Sequence, residues 1–442
     1  SAAFFANATY SYKGRYTVNG TARYEGTNRM GKSRSARWLP TWNVSGAWNA
    51  HEEKFFSNLT SVLSHFTLKA SYSLTADRGP ADVTNSQAII TSYSPYRPFT
   101  SIQESGLYIK ELENSELTYE KKHELNIGAD MGFLNNRINL AVDWYKRNNY
   151  DLIGIVNTQG AGGQILKYAN IASMKSHGIE FTLSTKNIKT KDFNWNTDFI
   201  FSNAKNEVTD LKQNANVMEL ISGNGFAKQG YPVRGLFSIP FVGLDKDGIP
   251  VIINEKGEAT STDINFQERQ NTGFLKYEGT TDPTITGSLG NMFSYKGFRL
   301  NLFITYSFGN VIRLNPVFKA YYSDLTAMTR EFKNRWTLPG DEAKTNVPAI
   351  LSKRMYDSNE DLKYAYNAYN YSTERIAKGD FIRLKEISLA YDFPKAWINP
   401  LKLTDLSLKV QATNLFLIYA DDKLNGQDPE FFNAGGVASP VP

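Results

Sequence analysis

The stretch from Phe298 to Phe308 is the feature that most constrains the fold. Phe298, Leu300, Leu302, Ile304, Tyr306 and Phe308 fall on one parity, and Arg299, Asn301, Phe303, Thr305 and Ser307 on the other. Successive side chains of a strand point to opposite faces, so this segment has one apolar wall and one mostly polar wall. The split recurs. At 15–25, Tyr16, Val18, Ala22 and Tyr24 oppose Arg15, Thr17, Asn19, Thr21, Arg23 and Glu25. At 123–133, Leu125, Ile127, Ala129, Met131 and Phe133 oppose Glu124, Asn126 and Asp130. At 137–147, Ile138, Leu140, Val142 and Trp144 oppose Arg137, Asn139, Asp143 and Arg147, and at 404–413, Leu406, Leu408 and Val410 oppose Asp405, Ser407, Lys409 and Gln411. Shorter versions lie near 4–13, 41–50, 66–75, 177–185, 193–202, 284–295 and 380–393. In the last, Ile382 and Leu384 give way to Ile387, Leu389 and Tyr391 on the other parity, which predicts a β-bulge near Lys385–Glu386.

The pattern predicts about twelve strands of about ten residues, each long enough, tilted near 40°, to cross an apolar band about 25 Å tall. Their connections alternate. Lys13-Gly14, Leu134-Asn135-Asn136 and Lys296-Gly297 are tight turns, while 26–40, 76–122, 148–176, 203–283 and 309–379 are long. Connections of that length are uncommon inside a compact soluble domain. A rim of short turns and a rim of long loops is the asymmetry of a transmembrane antiparallel β-barrel, with the long loops extracellular and the turns periplasmic. A soluble β-sandwich or β-helix shows the same alternation, but with its apolar face buried and its connections shorter.

Composition narrows the alternatives. The chain is 41% apolar, too polar for a helical membrane protein, and no run reaches the roughly 18 apolar residues of a spanning helix. Net charge is +5 from 49 basic and 44 acidic residues spread along the chain, which leaves no nucleic-acid footprint. There is no cysteine, so disulfide frameworks and thiolate metal sites are excluded. Ser1-Ala2-Ala3-Phe4 lacks the basic start and apolar core of a signal peptide, so either a signal has been removed or the chain starts inside a larger protein.

Several phrases, in this order along the chain, resemble the SusC/RagA-type TonB-linked outer-membrane transporters. They are Tyr119 to Phe133, Arg137 to Leu152, Ser176-His177-Gly178-Ile179-Glu180-Phe181, Asp192-Phe193-Asn194-Trp195, Asp380 to Leu389, Ala412-Thr413-Asn414-Leu415-Phe416 and Asp428-Pro429-Glu430. The resemblance implies a 22-stranded barrel with an N-terminal plug. It also implies uptake powered by TonB, and a SusD-like surface lipoprotein as lid. Residues 1–442 show about twelve strands, no plug and no TonB-contact segment, and Pro442 falls where a last strand is expected. The chain is therefore expected to be the C-terminal part of the barrel. Plug, first strands and closing strand would come from elsewhere, because open strand edges are not viable in lipid.

The candidate sites are those of a wall and its loops. Tyr16, Tyr24, Trp42, Trp48, Tyr72 and Trp144 are the expected membrane-interface aromatics; Tyr16 and Tyr24 lie roughly 26 Å apart along a strand, enough to reach both interfaces. Arg15, Arg23, Asp130, Asp143 and Arg299 are expected to face the lumen and to pair across strands or meet the plug. Trp336, Tyr364, Tyr366, Tyr369 and Tyr371 in the 309–379 loop are candidates for substrate or lid contact, with packing of the loop on itself as the alternative. His51, His65, His123 and His177 are scattered, and paired carboxylates such as Glu52-Glu53 and Asp421-Asp422 read as solvated turn charges, so no catalytic residue, metal or cofactor is expected. Asp245-Lys246-Asp247-Gly248 starts like a calcium loop but lacks the later acidic ligands, and reads as the turn of a hairpin spanning 240–256.

Three functions fit these features. The first is part of an importer of oligosaccharides or oligopeptides, in the outer membrane of a Gram-negative cell. The second is the same barrel as a structural subunit of a larger outer-membrane assembly or secretion complex, separated from the first by the subunits that co-purify. The third is a secreted all-β glycan-binding protein, which would be soluble without detergent.

Overall fold

The structure is a computed structural model describing residues 2–79, 87–95, 105–160, 166–318, 328–432 and 438–440. Twelve antiparallel strands carry the architecture: β1 (Ala2–Tyr12), β2 (Tyr16–Gly26), β3 (Trp38–Asn49), β4 (Leu63–Asp77), β5 (Glu120–Phe133), β6 (Ile138–Asn157), β7 (Leu166–Lys189), β8 (Phe193–Leu211), β9 (Ile285–Tyr295), β10 (Phe298–Phe308), β11 (Phe381–Asp392) and β12 (Ser407–Ala420). They hydrogen-bond in chain order, and β1 and β12 each end the sheet. No helix among the described residues is long and apolar enough to cross a membrane, which says nothing of crossing by strands. By compactness the chain divides into Ser1–Phe181 with Lys205–Gln213, and Thr182–Ala204 with Asn214–Pro442.

In the first unit, pairing carries the alternation across neighbouring strands. Tyr16, Trp48, Leu68, Ala129 and Val142 form one row, and Val18, Gly46, Ala70, Ile127 and Trp144 the next. The opposite face carries Asn19, Ser45, Ser71, Asn126 and Tyr145. In the second unit, Trp195, Phe293, Leu300, Leu389 and Val410 form a row, as do Phe199, Leu289, Ile304, Leu384 and Phe416. The reverse face includes Asn196, Met292, Asn301, Ser388 and Gln411. Leu300, Leu302 and Ile304 are half-buried and belong to no buried core cluster among the described residues, and Leu389 and Val410, in the same row as Leu300, are exposed. A sheet apolar on an uncovered face is built to meet hydrocarbon.

The turns follow local chemistry. Lys13 and Gly14 take φ of 53° and 70°, and Lys296 and Gly297 43° and 90°. Both central residues lie at positive φ, the geometry whose twist matches an antiparallel hairpin. Leu134, Asn135 and Asn136 all take φ between 51° and 57°. The parity change in β11 is a bulge: Phe303 pairs with Glu386 and Ile304 with Leu384, leaving Lys385 as the extra residue.

Strand lengths depart from the expected ten. β6, β7 and β8 have 20, 24 and 19 residues, and the link expected at 148–176 shrinks to 158–165. Likewise, the loop expected from 203 begins only at 212, and the last strand runs over 407–420 rather than 404–413. Beyond the lipid both faces are wet, so the alternation fades while backbone pairing continues.

Candidate functional site: a folded cap built by two long loops

The connections β8–β9 (212–284) and β10–β11 (309–380) fold together. A short helix, Val217–Ile221, opens the first. Asn216 accepts from the Glu219 amide at 2.8 Å while Glu219 accepts from the Asn216 amide at 2.8 Å, a reciprocal cap that satisfies two donors. The helix buries Val217, Leu220 and Ile221 against Phe237, Ile239, Ile252 and Leu275 of its own loop and Ala368 of the other. Each such aliphatic or aromatic burial stabilises by about 1.5–3 kcal/mol, so neither loop is an unstructured tether. The backbones also join: the Ile239 amide donates to Tyr371 O at 3.1 Å, and the Thr373 amide to Ile239 O at 3.1 Å.

The 240–256 hairpin is present, with strands Phe241–Leu244 and Pro250–Ile253 and a third short strand at Ala259–Thr260. Asp245 Oδ1 accepts from the amides of Asp247 and Ile249, both at 2.9 Å, and Gly248 supplies φ of 75°. The Trp336 ring lies on Gly248, leaving no room for a Cβ, and the Ala349 amide donates to Gly248 O at 3.0 Å.

Two buried arginines clasp the cap. Arg313, on a short strand Val311–Arg313, donates to Phe237 O at 2.7 Å, Ser238 Oγ at 3.2 Å and Ser372 O at 3.4 Å, with the Tyr371 ring 5.6 Å away. Burial drives its pKa down to about 9, which leaves it cationic at neutral pH. Arg375 makes a two-pronged pair with Glu331, both contacts 2.8 Å, and reaches Asn315 O at 2.6 Å. A third buried arginine, Arg383 on the polar face of β11, meets both oxygens of Asp428 at 2.6 Å. Lys385, the bulge residue, meets Glu430 at 2.6 Å. The short strand Gln427–Phe432 is thus held on the polar face of β11 by ion pairs. The periodicity of the sequence gives no sign of this charged fastening; an arginine set between Ile312 and Leu314 was the one local signal for a buried guanidinium.

The loop aromatics separate into interior and surface. Tyr366 and Tyr369 are each 1% exposed, on a helix, Leu362–Asn370, whose Leu362, Ala365, Tyr366 and Tyr369 form a buried stripe. Tyr366 packs 5.1 Å from Phe318 and Tyr369 5.4 Å from Phe241. Burial also pushes the Tyr369 phenol above its ordinary range. These two therefore pack the cap and offer no gripping surface in this structure. The helical spacing of 362, 365, 366 and 369 is the signal a strand-based reading passes over. Tyr371 is half-buried against the same core, and Trp336 is half-buried with its indole N–H on Glu342 at 2.9 Å. Tyr364 is exposed, with Lys363 5.2 Å above its ring. Elsewhere in the same loop opens a cleft of about 510 Å³ lined mostly by polar groups, Glu331, Asn334, Arg335, Asp341, Lys344 and Asn346, without Trp336 among its walls.

The expected wall residues fall as follows. Arg15 lies in the β1–β2 turn and pairs with Glu53 at 3.3 Å, Arg23 with Glu25 at 2.6 Å, Asp130 with Lys69 at 2.8 Å, and Arg299 with Asp392 at 2.8 Å. The Asp143 carboxylate lies against Gly128, where a Cβ would collide. Tyr16, Tyr24, Trp42, Trp48, Tyr72 and Trp144 stand on the apolar-face parity; Tyr24 stacks on Trp38 at 4.9 Å and Trp42 meets Tyr72 edge-on at 5.4 Å. His51 and His65 lie 4.2 Å apart by ring centroid, and the described residues hold no cluster of three metal-type ligands.

Long antiparallel strands, apolar on one face and polar on the other, with tight turns at one end and folded loops at the other, define the wall of an outer-membrane β-barrel. A family model described as TonB dependent receptor-like, beta-barrel, matches residues 1–415, and the chain belongs to that family. Among its relatives, TonB-dependent receptor P3 of Formosa agariphila is 25% identical over 96% of this chain and 41% of its own length. TonB-dependent receptor SusC of Bacteroides thetaiotaomicron is 26% identical over 99% of this chain and 42% of its own length. The structure of the RagAB peptide importer in its 'closed-closed' state shares the fold, with TM-score 0.76 and 23% identity, covering 99% of this chain and 45% of that one. The chain thus spans less than half the length of these relatives.

Proposed function

We propose that this chain forms wall and cap of an energised outer-membrane importer for oligopeptides or oligosaccharides. The observation that carries the reading is the cap: two long loops share one hydrophobic core and two buried arginines, which makes a shaped lid region rather than an open pore mouth. The polar face of the sheet, rich in Asn, Ser and Thr, supplies a wet path, and the cleft lined by Glu331, Arg335 and Asp341 supplies a polar contact surface. In this reading no residue performs covalent chemistry. Plug and TonB contact come from parts of the protein outside these residues, and a SusD-like surface lipoprotein covers the cap. A peptide cargo is named for the RagAB importer, and peptides are accordingly one of the two cargo classes proposed for this chain.

The test is binding and uptake of labelled oligopeptides and oligosaccharides by cells carrying the full-length receptor, with and without residues 309–379. Loss of binding while the barrel keeps its heat-modifiable migration is the expected result. Unchanged affinity and uptake would remove the cap from the transport path. Co-purification of secretion or assembly subunits in place of a surface lipoprotein would favour a scaffold role.

A further inference from the structure

The β11–β12 connection is not a bare turn. Residues 393–406 fold as a short helix, Lys395–Ile398, and a 3-10 turn, Asn399–Leu401. Ile398 is buried beneath them, yet Trp397 is 63% and Leu401 65% exposed. Leu403 and Leu406 are exposed as well. This apolar surface continues the membrane-facing one. Phe298 and Tyr391 lie 4.4 Å apart on the outward face, Phe393 follows 5.0 Å from Tyr391, and Trp397 6.5 Å from Phe393. The aromatic line thus runs off the end of the sheet and onto the connection.

Cations accompany it. Lys296, in the adjacent tight turn, stands 5.3 Å over the Tyr295 ring, and Lys395 and Lys402 are exposed on the connection. Of the nearby carboxylates, Asp392 is paired with Arg299, and Asp405 lies towards the start of β12. The other unit repeats the device at Tyr12-Lys13-Gly14, with Lys13 5.1 Å over Tyr12. In both turns the lysine occupies a left-handed position, φ 53° and 43°, where Asn or Asp is the easier choice. The ammonium at each of these turns therefore stands beside the apolar surface in a fixed position. An aromatic ring beneath an ammonium at the edge of an apolar surface suits the boundary between acyl chains and phosphates.

We propose that the β11–β12 connection and the Lys296 turn form a binding border for anionic phospholipid. Trp397 and Leu401 sit in the upper acyl layer, and Lys296, Lys395 and Lys402 contact lipid phosphates. The connection is then an in-plane anchor on the short-turn side of the membrane, independent of what the receptor imports.

The experiment uses the full-length receptor in nanodiscs, with an environment-sensitive dye on Leu401→Cys, or on Trp397→Cys should the first variant fail to fold. Leu408→Cys on the lipid-facing row and Leu338→Cys on the exposed loop serve as references. Quenching by lipid spin-labelled near the headgroup, at the level of position 408, is expected. Quenching by an aqueous nickel chelate alone, or by neither agent, would overturn the anchor, because the site would then be in water or covered by protein. Native mass spectrometry reads the charges: each of Lys296→Gln, Lys395→Gln and Lys402→Gln should lower the preference for phosphatidylglycerol over phosphatidylethanolamine about fivefold. An unchanged preference in the triple variant would overturn the phosphate contacts.

Discussion

Arg313 shows how much one residue contributes to the cap. Its buried guanidinium donates to carbonyls from both long loops. Arg313→Met would strip the buried Phe237 carbonyl and Ser238 hydroxyl of their guanidinium donor, while Ser372 O keeps the Arg375 amide, a loss of about 1–3 kcal/mol. Limited proteolysis should cut the cap of this variant far faster than the native one while the barrel stays heat-modifiable, and Arg313→Lys should rescue little, since an ammonium lacks the fork. Acid offers a second handle. The amides of Leu338 and Thr337 hold the Asp341 carboxyl low, and the Trp336 indole N–H does the same for Glu342. Both folded pKa values are depressed, so their contribution is complete above the unfolded carboxylate range and disappears as pH falls through the folded values. The Trp336 emission, isolated by subtracting Trp336→Phe, should hold steady down to about pH 4 and shift below it. Glu342→Gln should already show the shifted emission at neutral pH.

At the scale of elements, the alternation is readable because lipid enforces it. Where both faces are wet, as in the outer reaches of β6 to β8, composition carries no parity and the strand ends are invisible in the sequence. The bulge at Lys385 was legible for the same reason: an apolar set that changes parity inside one strand has to be reset by an extra residue. Deleting Lys385 should remove the bulge yet leave Ile387, Leu389 and Tyr391 on the lipid side, because Leu384 is then followed directly by Glu386 on the polar parity. The variant should therefore still accumulate in the outer membrane, with a lower thermal midpoint from the lost Lys385–Glu430 pair; failure to accumulate would show that the bulge itself is required. The cap was less legible. Tyr366 and Tyr369 look like a sugar-gripping cluster by composition, and only their helical spacing with Leu362 and Ala365 marks them as interior. The partner faces that bury them come from distant segments, which no local pattern reports.

For the whole molecule, the fastening of residues 427–432 onto β11 matters beyond its size. Arg383 and Asp428 are both about 95% shielded from solvent by their side-chain exposures of 5% each. Asp428→Asn would leave the buried Arg383 with only the half-buried Glu430 carboxylate at 3.0 Å, and should lower the thermal midpoint of the full-length receptor by less than the roughly 3–5 kcal/mol of a fully broken buried pair implies. The double change Arg383→Met with Asp428→Leu should restore most of it; a double variant as unstable as the single would refute a purely electrostatic fastening. Family membership extends over nearly the whole chain, which spans about two fifths of the length of its relatives.

The shared core of the cap also dictates an order of events. Val217 follows β8 and Ala368 precedes β11, so two further strands must be threaded before they can meet. The cap is therefore a late product of biogenesis, and its resistance to an external protease would report that the hairpin between them has already been delivered to the bilayer.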